Sequence, residues 1–286
     1  GIALAVVTSL AVLGQLLPPT RLGEGYNLAT LAMILPMSFA PVLGEGVIRQ
    51  WGFAVFWYIP PGAVLLALVL ISRIYTTIPE NHLHLHAPAP SWREAEVFRD
   101  RVMIGAMAVN FLAFTGQASM NNLISLYAEF RGFSPSYYFS FYSLAIVLLR
   151  LWLGRYFDRD LQWHILAWSL VVWVGGCLLL PLAASNLWLG LAGLVMGAGF
   201  FPIYPILNAM VMKRSSPGHG DNNLSLFTAS TDLGFLLGPA LFGAVIKGLG
   251  YLWFFGGAAL LVLLARLIWG ALGRPVKPLK ASLPSG

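Results

Sequence analysis

The 286-residue sequence predicts an all-α bundle of membrane-spanning helices, and three observations lead there. Hydrophobic residues make up 58% of the chain and charged residues only 10%, where a soluble domain carries about a quarter. The apolar residues fall in runs of about 20, the length a helix needs to cross a bilayer. The chain also nearly repeats itself, with "VIRQWGFAVF" at 47–56 and "VIKGLGYLWF" at 245–254.

Nine apolar runs are legible, at 1–17, 26–48, 53–72, 102–127, 136–154, 163–182, 187–211, 223–246 and 251–270. Each is too long and too evenly apolar for a barrel strand, and a helix satisfies its own backbone in lipid. The first run lacks the basic start and small-residue cleavage site of a signal peptide before "PPTR". Cys177, the single cysteine, lies inside a run, so no disulfide is available.

The formal charge of +6 is distributed by side rather than clustered for nucleic acid. If the connections alternate sides, Arg21, Arg73, Arg93, Arg99, Arg101, Arg155, Arg159, Lys213, Arg214, Arg274, Lys277 and Lys280 share one side. The other side holds Arg49, Arg131 and Lys247. The positive-inside rule makes the richer side cytoplasmic and with it the C-terminus, leaving Gly1 outside.

At a constant offset of about 198 residues, Leu28 meets Leu226, Thr30 meets Thr228, Pro41 meets Pro239, Gly52 meets Gly250 and Phe56 meets Phe254. Val47-Ile48-Arg49 meets Val245-Ile246-Lys247 without a gap. Runs two and three therefore recur as runs eight and nine in the same orientation. Parallel repeats about an axis along the membrane normal belong to transporters whose substrate sits between the halves. Run seven maps onto run one, and runs four to six map to positions before Gly1. The chain is thus expected to be the C-terminal three quarters of a twelve-helix, six-plus-six protein, with nine helices present.

These features resemble the major facilitator superfamily. "RLWLGRYFDRDLQ" (150–162) is similar to the family's cytoplasmic loop signature, matching it at Gly154, Asp158 and Arg159. "DLGFLLGPALFG" (232–243) resembles the signature that bends a helix in antiporters, matching at Gly234, Gly238, Pro239 and Gly243. In run two, where that signature is diagnostic, Pro41 and Gly44 agree while Pro36, Ala40 and Glu45 depart. The resemblance implies that 1–72 is part of a first half, 73–100 a cytoplasmic linker, 101–273 the second half and 274–286 a cytoplasmic tail. It implies a secondary transporter of a small organic molecule in a plasma membrane, such as a bacterial inner membrane, monomeric when full length.

Ionisable groups inside membrane helices are costly and therefore mark function or pairing. Asp232, in "TASTDLGF" near Thr228 and Thr231, is the proton-coupling candidate; pairing with an arginine or hydrogen bonding to a neighbouring helix is the structural alternative. Arg150 suits gating or interfacial anchoring, and Glu45 an outer-rim ion pair with Arg49. Asn110, Phe114, Gln117 and Asn121 share one helical face, as a wet substrate path or as interhelical contacts require. Tyr138, Tyr142, Tyr204 and Asn208 are similar cavity candidates, the last two following the prolines of "FFPIYPILN".

"NHLHLH" (81–86) lacks an acid or cysteine to complete a metal set and reads as a solvated linker between prolines. Without a phosphate-binding loop, Ser-His-Asp set or zinc spacing, ATP-driven transport and hydrolysis have no site. Haem ligation would need histidines within the runs, whereas His164 lies at the end of one and His82, His84, His86 and His219 lie in connections. The sequence thus predicts a transporter with no cofactor, no metal and no nucleic-acid partner. Its partners are the bilayer, a small solute and protons. Proton-coupled efflux is the leading reading, with uptake by the same fold and a non-transporting fragment as alternatives.

Overall fold

The structure, a computed structural model, describes residue 40 and residues 43–75, 98–153, 162–216 and 219–272. These residues are helical almost throughout, with no strand among them. Residues 43–51 form a helix that Gly52 closes, a single turn follows at Phe53–Phe56, and α1 runs from Ile59 to Tyr75. The remaining helices are α2 (Arg101–Phe130), α3 (Pro135–Leu153), α4 (Gln162–Leu179), α5 (Asn186–Phe200), α6 (Ile203–Arg214), α7 (Gly220–Leu249) and α8 (Tyr251–Ala271).

Among the described residues, six helical stretches are long and apolar enough to cross a membrane. They are Phe53–Arg73, Arg101–Phe130, Trp163–Leu182, Asn186–Arg214, Asn222–Leu249 and Tyr251–Ala271. α3 is a helix where 136–154 is expected to span. The run at 1–17 and most of the run at 26–48 lie outside the described residues, so the count of nine is not reached among them.

α2 is the axis of the bundle formed by residues 98–272. Eight consecutive residues, Ala113 to Met120, are buried, so neighbours enclose it on every side. α7 and α8 pack along it, α4 packs against α8 and α5, and α3 packs against α5. Lipid tails are as apolar as leucine, so membrane helices associate through close backbone approach at small residues. The α3–α5 seam shows this: a Cβ on Gly193 or Gly197 would overlap the carbonyl oxygen of Tyr138 or Tyr142. Where α7 meets α2, a Cβ on Gly238 would overlap the Thr115 carbonyl oxygen, and one on Gly234 would crowd Phe111 and Thr115. The helix-bend glycines of the sequence therefore serve a helix contact, while Pro239 lies inside the continuous α7.

The predicted kink at "FFPIYPILN" falls at a two-residue interruption within the stretch Asn186–Arg214, where Phe201 and Pro202 keep right-handed helical dihedrals. α5 stops at Phe200 and α6 starts at Ile203, with Pro202 in the cap position and Pro205 in the first turn. A proline there forfeits only an N–H that has no intrahelical partner.

The sequence repeat is also a structural repeat. Gly52 has φ 84° and ψ 165°, and Gly250 has φ 89° and ψ 179°, a conformation essentially reserved for glycine. Each amide donates at 3.0 Å to the carbonyl four residues back, Ile48 and Ile246. Phe254 packs on Phe242, with ring centroids 5.5 Å apart. At the equivalent places, a Cβ on Gly44 would lie 3.1 Å from the ring of Phe56.

Candidate functional site

Asp232 projects from the middle of α7 and is exposed. Thr228 and Pro239 stand one and two turns away on the same flank, with Phe235 between them. The opposite face, through Phe227, Ser230, Thr231, Gly234 and Gly238, is buried in the bundle. Phe235 joins the flank to an aromatic cluster. Its ring lies 5.6 Å from that of Phe114, which meets Phe200 at 4.9 Å and Tyr204 at 5.8 Å. Tyr204 in turn packs on Phe227 at 5.6 Å. Phe200 and Tyr204, four residues apart on either side of the α5–α6 interruption, both meet the same phenylalanine of α2. A carboxylate thus sits one helical turn from an aromatic wall that spans α2, α5, α6 and α7.

The amide face of α2 enters two hydrogen-bonded groups inside the bundle. Asn110 is fully buried and donates to Ser230 at 2.9 Å and Thr231 at 2.7 Å, tying α2 to α7. Its Oδ1 has no hydrogen-bond partner. Gln117, also fully buried, donates to Asn121 at 2.8 Å and accepts from the Trp173 indole of α4 at 2.8 Å. Thr115 and Ser119 bond back to the α2 carbonyls of Phe111 and Thr115. Asn121 and Asn208 remain partly open. Tyr138 and Tyr142 are buried in the α3–α5 seam with stacked rings 5.9 Å apart, and the Tyr138 hydroxyl has no partner.

Gly154, Asp158 and Arg159, with the "NHLHLH" segment, lie outside the described residues. Arg150, in the last turn of α3, is partly buried. Among the described residues no group of three His, Cys, Asp or Glu side chains converges as a metal site would require.

Three contacts escaped the sequence reading. The Glu45 carboxylate accepts hydrogen bonds from Ser134 and Ser136, with Arg49 lining the same cavity. Asp100 caps α2, accepting from Val102 at 2.7 Å, and its other oxygen pairs with Arg214 of α6 at 2.7 Å. Arg131 donates to the Ala183 carbonyl at 2.8 Å and to the Tyr127 hydroxyl, which itself donates to the Leu180 carbonyl at 3.0 Å. Only the Asp100 cap carried a local signal, an aspartate just before an apolar run.

The family assignment follows from the sequence. The family model described as Major Facilitator Superfamily matches residues 1–229, and the chain belongs to that family. It is similar to the staphylopine export protein of Staphylococcus aureus (strain Mu50 / ATCC 700699), at 22% identity over 274 residues. That match covers 88% of this chain and 66% of the exporter, so the chain spans just under two thirds of its relative's length. The crystal structure of the human organic anion transporter MFSD10 (TETRAN) superposes with a TM-score of 0.69 at 20% identity. It covers 92% of this chain and 67% of that one, and shows a shared fold.

Proposed function

We propose that the chain moves a small organic solute across a plasma membrane by secondary active transport, with two helical halves rocking about a central site and protons driving efflux. The first half includes 1–72, the linker is 73–100 and the second half is 101–273, with the C-terminus cytoplasmic and the protein acting as a monomer. The observation that carries this reading is Asp232, an exposed carboxylate in the middle of a membrane-length helix beside an aromatic wall. A charge at that depth costs roughly 2.5–3.5 kcal/mol on insertion scales unless it faces water or is neutralised. A carboxylate that alternately binds and releases a proton meets that constraint and does coupling work.

Tyr204, Asn208 and Asn121 line the solute path, while Asn110, Gln117, Tyr138 and Tyr142 hold the helices that shape it. Gly234, Gly238 and Pro239 set the position of α7 against α2, and the loop residues Gly154, Asp158 and Arg159 steady the cytoplasmic side. Efflux is favoured over uptake by the likeness to an exporter.

The test is Asp232→Asn in membrane vesicles with an imposed proton gradient, using staphylopine and a fluorescent organic anion as trial solutes. The variant is expected to lose uphill accumulation and keep downhill exchange. Wild-type accumulation by the Asn variant would remove Asp232 from coupling, and accumulation with the gradient reversed would establish uptake.

A further inference from the structure

A carboxylate sits where the internal repeat has no counterpart for it. At the offset of 198 residues, Glu45 corresponds to Gly243, which has no side chain and nothing within 4 Å of where one would begin. Glu45 instead reaches across the molecule. It accepts from the Ser134 hydroxyl at 2.7 Å on one oxygen and 3.0 Å on the other, and from the Ser136 hydroxyl as well. Both serines stand where the chain enters α3, on either side of Pro135. Ser134 is itself fixed there, its amide donating to the Asn186 side chain at 2.8 Å. The serine end of the contact is therefore held by the bundle, and the glutamate end belongs to the helix that leads into the Gly52 turn.

We propose that Glu45, Ser134 and Ser136 form a latch between the two halves, closing one end of the solute path and opening as the halves rock. This rests on the proposed division of the chain into halves. Hydrogen bonds to an ionised group are short and strong, and they fail abruptly when the partners separate. An apolar contact of the same size would leave bare hydrocarbon when opened, whereas carboxylate and hydroxyls exchange these bonds for water. Space for that water is already present. A cavity of about 400 Å³, lined by Glu45, Arg49, Ser134, Ser136 and Ser140 among others, lies beside the contact. On the helix that carries Glu45, Leu43 and the residues from Ile48 to Trp51 are exposed.

The test places one cysteine at Ser140, in a background where Cys177 is replaced by alanine, and follows its rate of thiol alkylation in detergent. Glu45→Ala is expected to raise the rate about tenfold, as the loss of hydrogen bonds to a charge implies. The double variant Ser134→Ala/Ser136→Ala should match it, and the triple variant should exceed neither. A cysteine at Ser185, the cap of α5, should react at an unchanged rate in all of them. Should Glu45→Ala fail to elute as a single species, Glu45→Gln, which keeps an acceptor and loses the charge, should give an intermediate rate. An unchanged Ser140 rate in Glu45→Ala or Glu45→Gln, or fully additive effects in the triple variant, would overturn the latch. Loss of solute movement with the Ser140 pattern intact would count against transport and leave the latch standing.

Discussion

The hairpin that turns at Gly52 and the hairpin that turns at Gly250 have the same backbone at the turn but opposite surroundings. In both, a glycine with positive φ ends one helix and opens the next. In both, side chains at the same two offsets meet across the corner, Gly44 with Phe56 and Phe242 with Phe254. Beyond the corner the likeness ends. α8 buries Phe254, Phe255, Ala258, Val262, Ala265 and Trp269 against the bundle, and the Trp269 ring stacks on Trp163 at 3.8 Å. α1 leaves Leu65, Leu66, Leu68, Val69 and Leu70 exposed. The turn is thus a local property, set by one glycine and a bond to the fourth carbonyl back. Burial depends on what else stands beside the helix, and the repeat does not supply it.

The two copies also break symmetry in charge. Asp232 corresponds to Ile34 and Glu45 to Gly243, so each copy carries a carboxylate that the other lacks. One acid sits in mid-helix and the other near the corner.

The largest effect expected from breaking the comparison is at the α2–α7 contact. Gly238→Leu would drive a side chain into the Thr115 carbonyl and should lower stability in detergent by about 3 kcal/mol, the upper range of overpacking. The first copy has Ala40 at that offset, and Ala40 is exposed. Ala40→Leu should change stability by less than about 0.5 kcal/mol. Equal losses in an unfolding titration would mean that the first copy is packed like the second.

The next effect should be symmetric. Gly52→Ala and Gly250→Ala both force a Cβ into a backbone region that costs of order 1–3 kcal/mol. Thermal unfolding should show both variants destabilised by similar amounts. A loss at Gly250 alone would show that the Gly52 corner is not held in the native protein.

The repeat and the interruption at Pro202 were legible because glycine and proline act on the backbone where they stand, without reference to neighbours. The expected spans from Arg101 to Ala271 fall on helices for the same reason, since length and apolarity decide them locally. What sequence could not give was the partner of each polar side chain. Asn110 and Gln117 share a helical face in any reading, but their bonds to Ser230, Thr231 and Trp173 join residues 56 to 121 positions apart. Glu45 illustrates the limit well. Arg49, four residues on, was the natural partner to expect, yet its hydrogen bonds reach serines 89 and 91 residues away. The Asp232 flank was half legible: the acid stood out by its cost, and the aromatic wall beside it needed the fold.

The smallest expected effect concerns how the bundle that holds the second hairpin is fastened at one end. Asp100 caps α2 with one oxygen and pairs with Arg214 of α6 through the other. Partial burial pushes its pKa up, but the hydrogen bond from Arg214, the α2 amides and the guanidinium charge outweigh that and hold it below the ordinary carboxylate value. A folded-state pKa below the unfolded one means that the unfolded chain takes up the proton first as pH falls. The contribution is therefore complete above the unfolded value, about 3.9 for aspartate, and is lost as pH drops through the folded one. Both side chains are about a quarter to a third exposed, so the pair should be worth no more than about 1 kcal/mol. Asp100→Asn keeps a capping oxygen and loses the charge, and Arg214→Gln keeps the cap and loses the partner. Stability measured from about pH 6 down to about pH 3 should fall less steeply in both variants than in the wild type. An acid slope identical to that of the wild type in both would show that the Asp100–Arg214 pair does not couple the start of α2 to the end of α6.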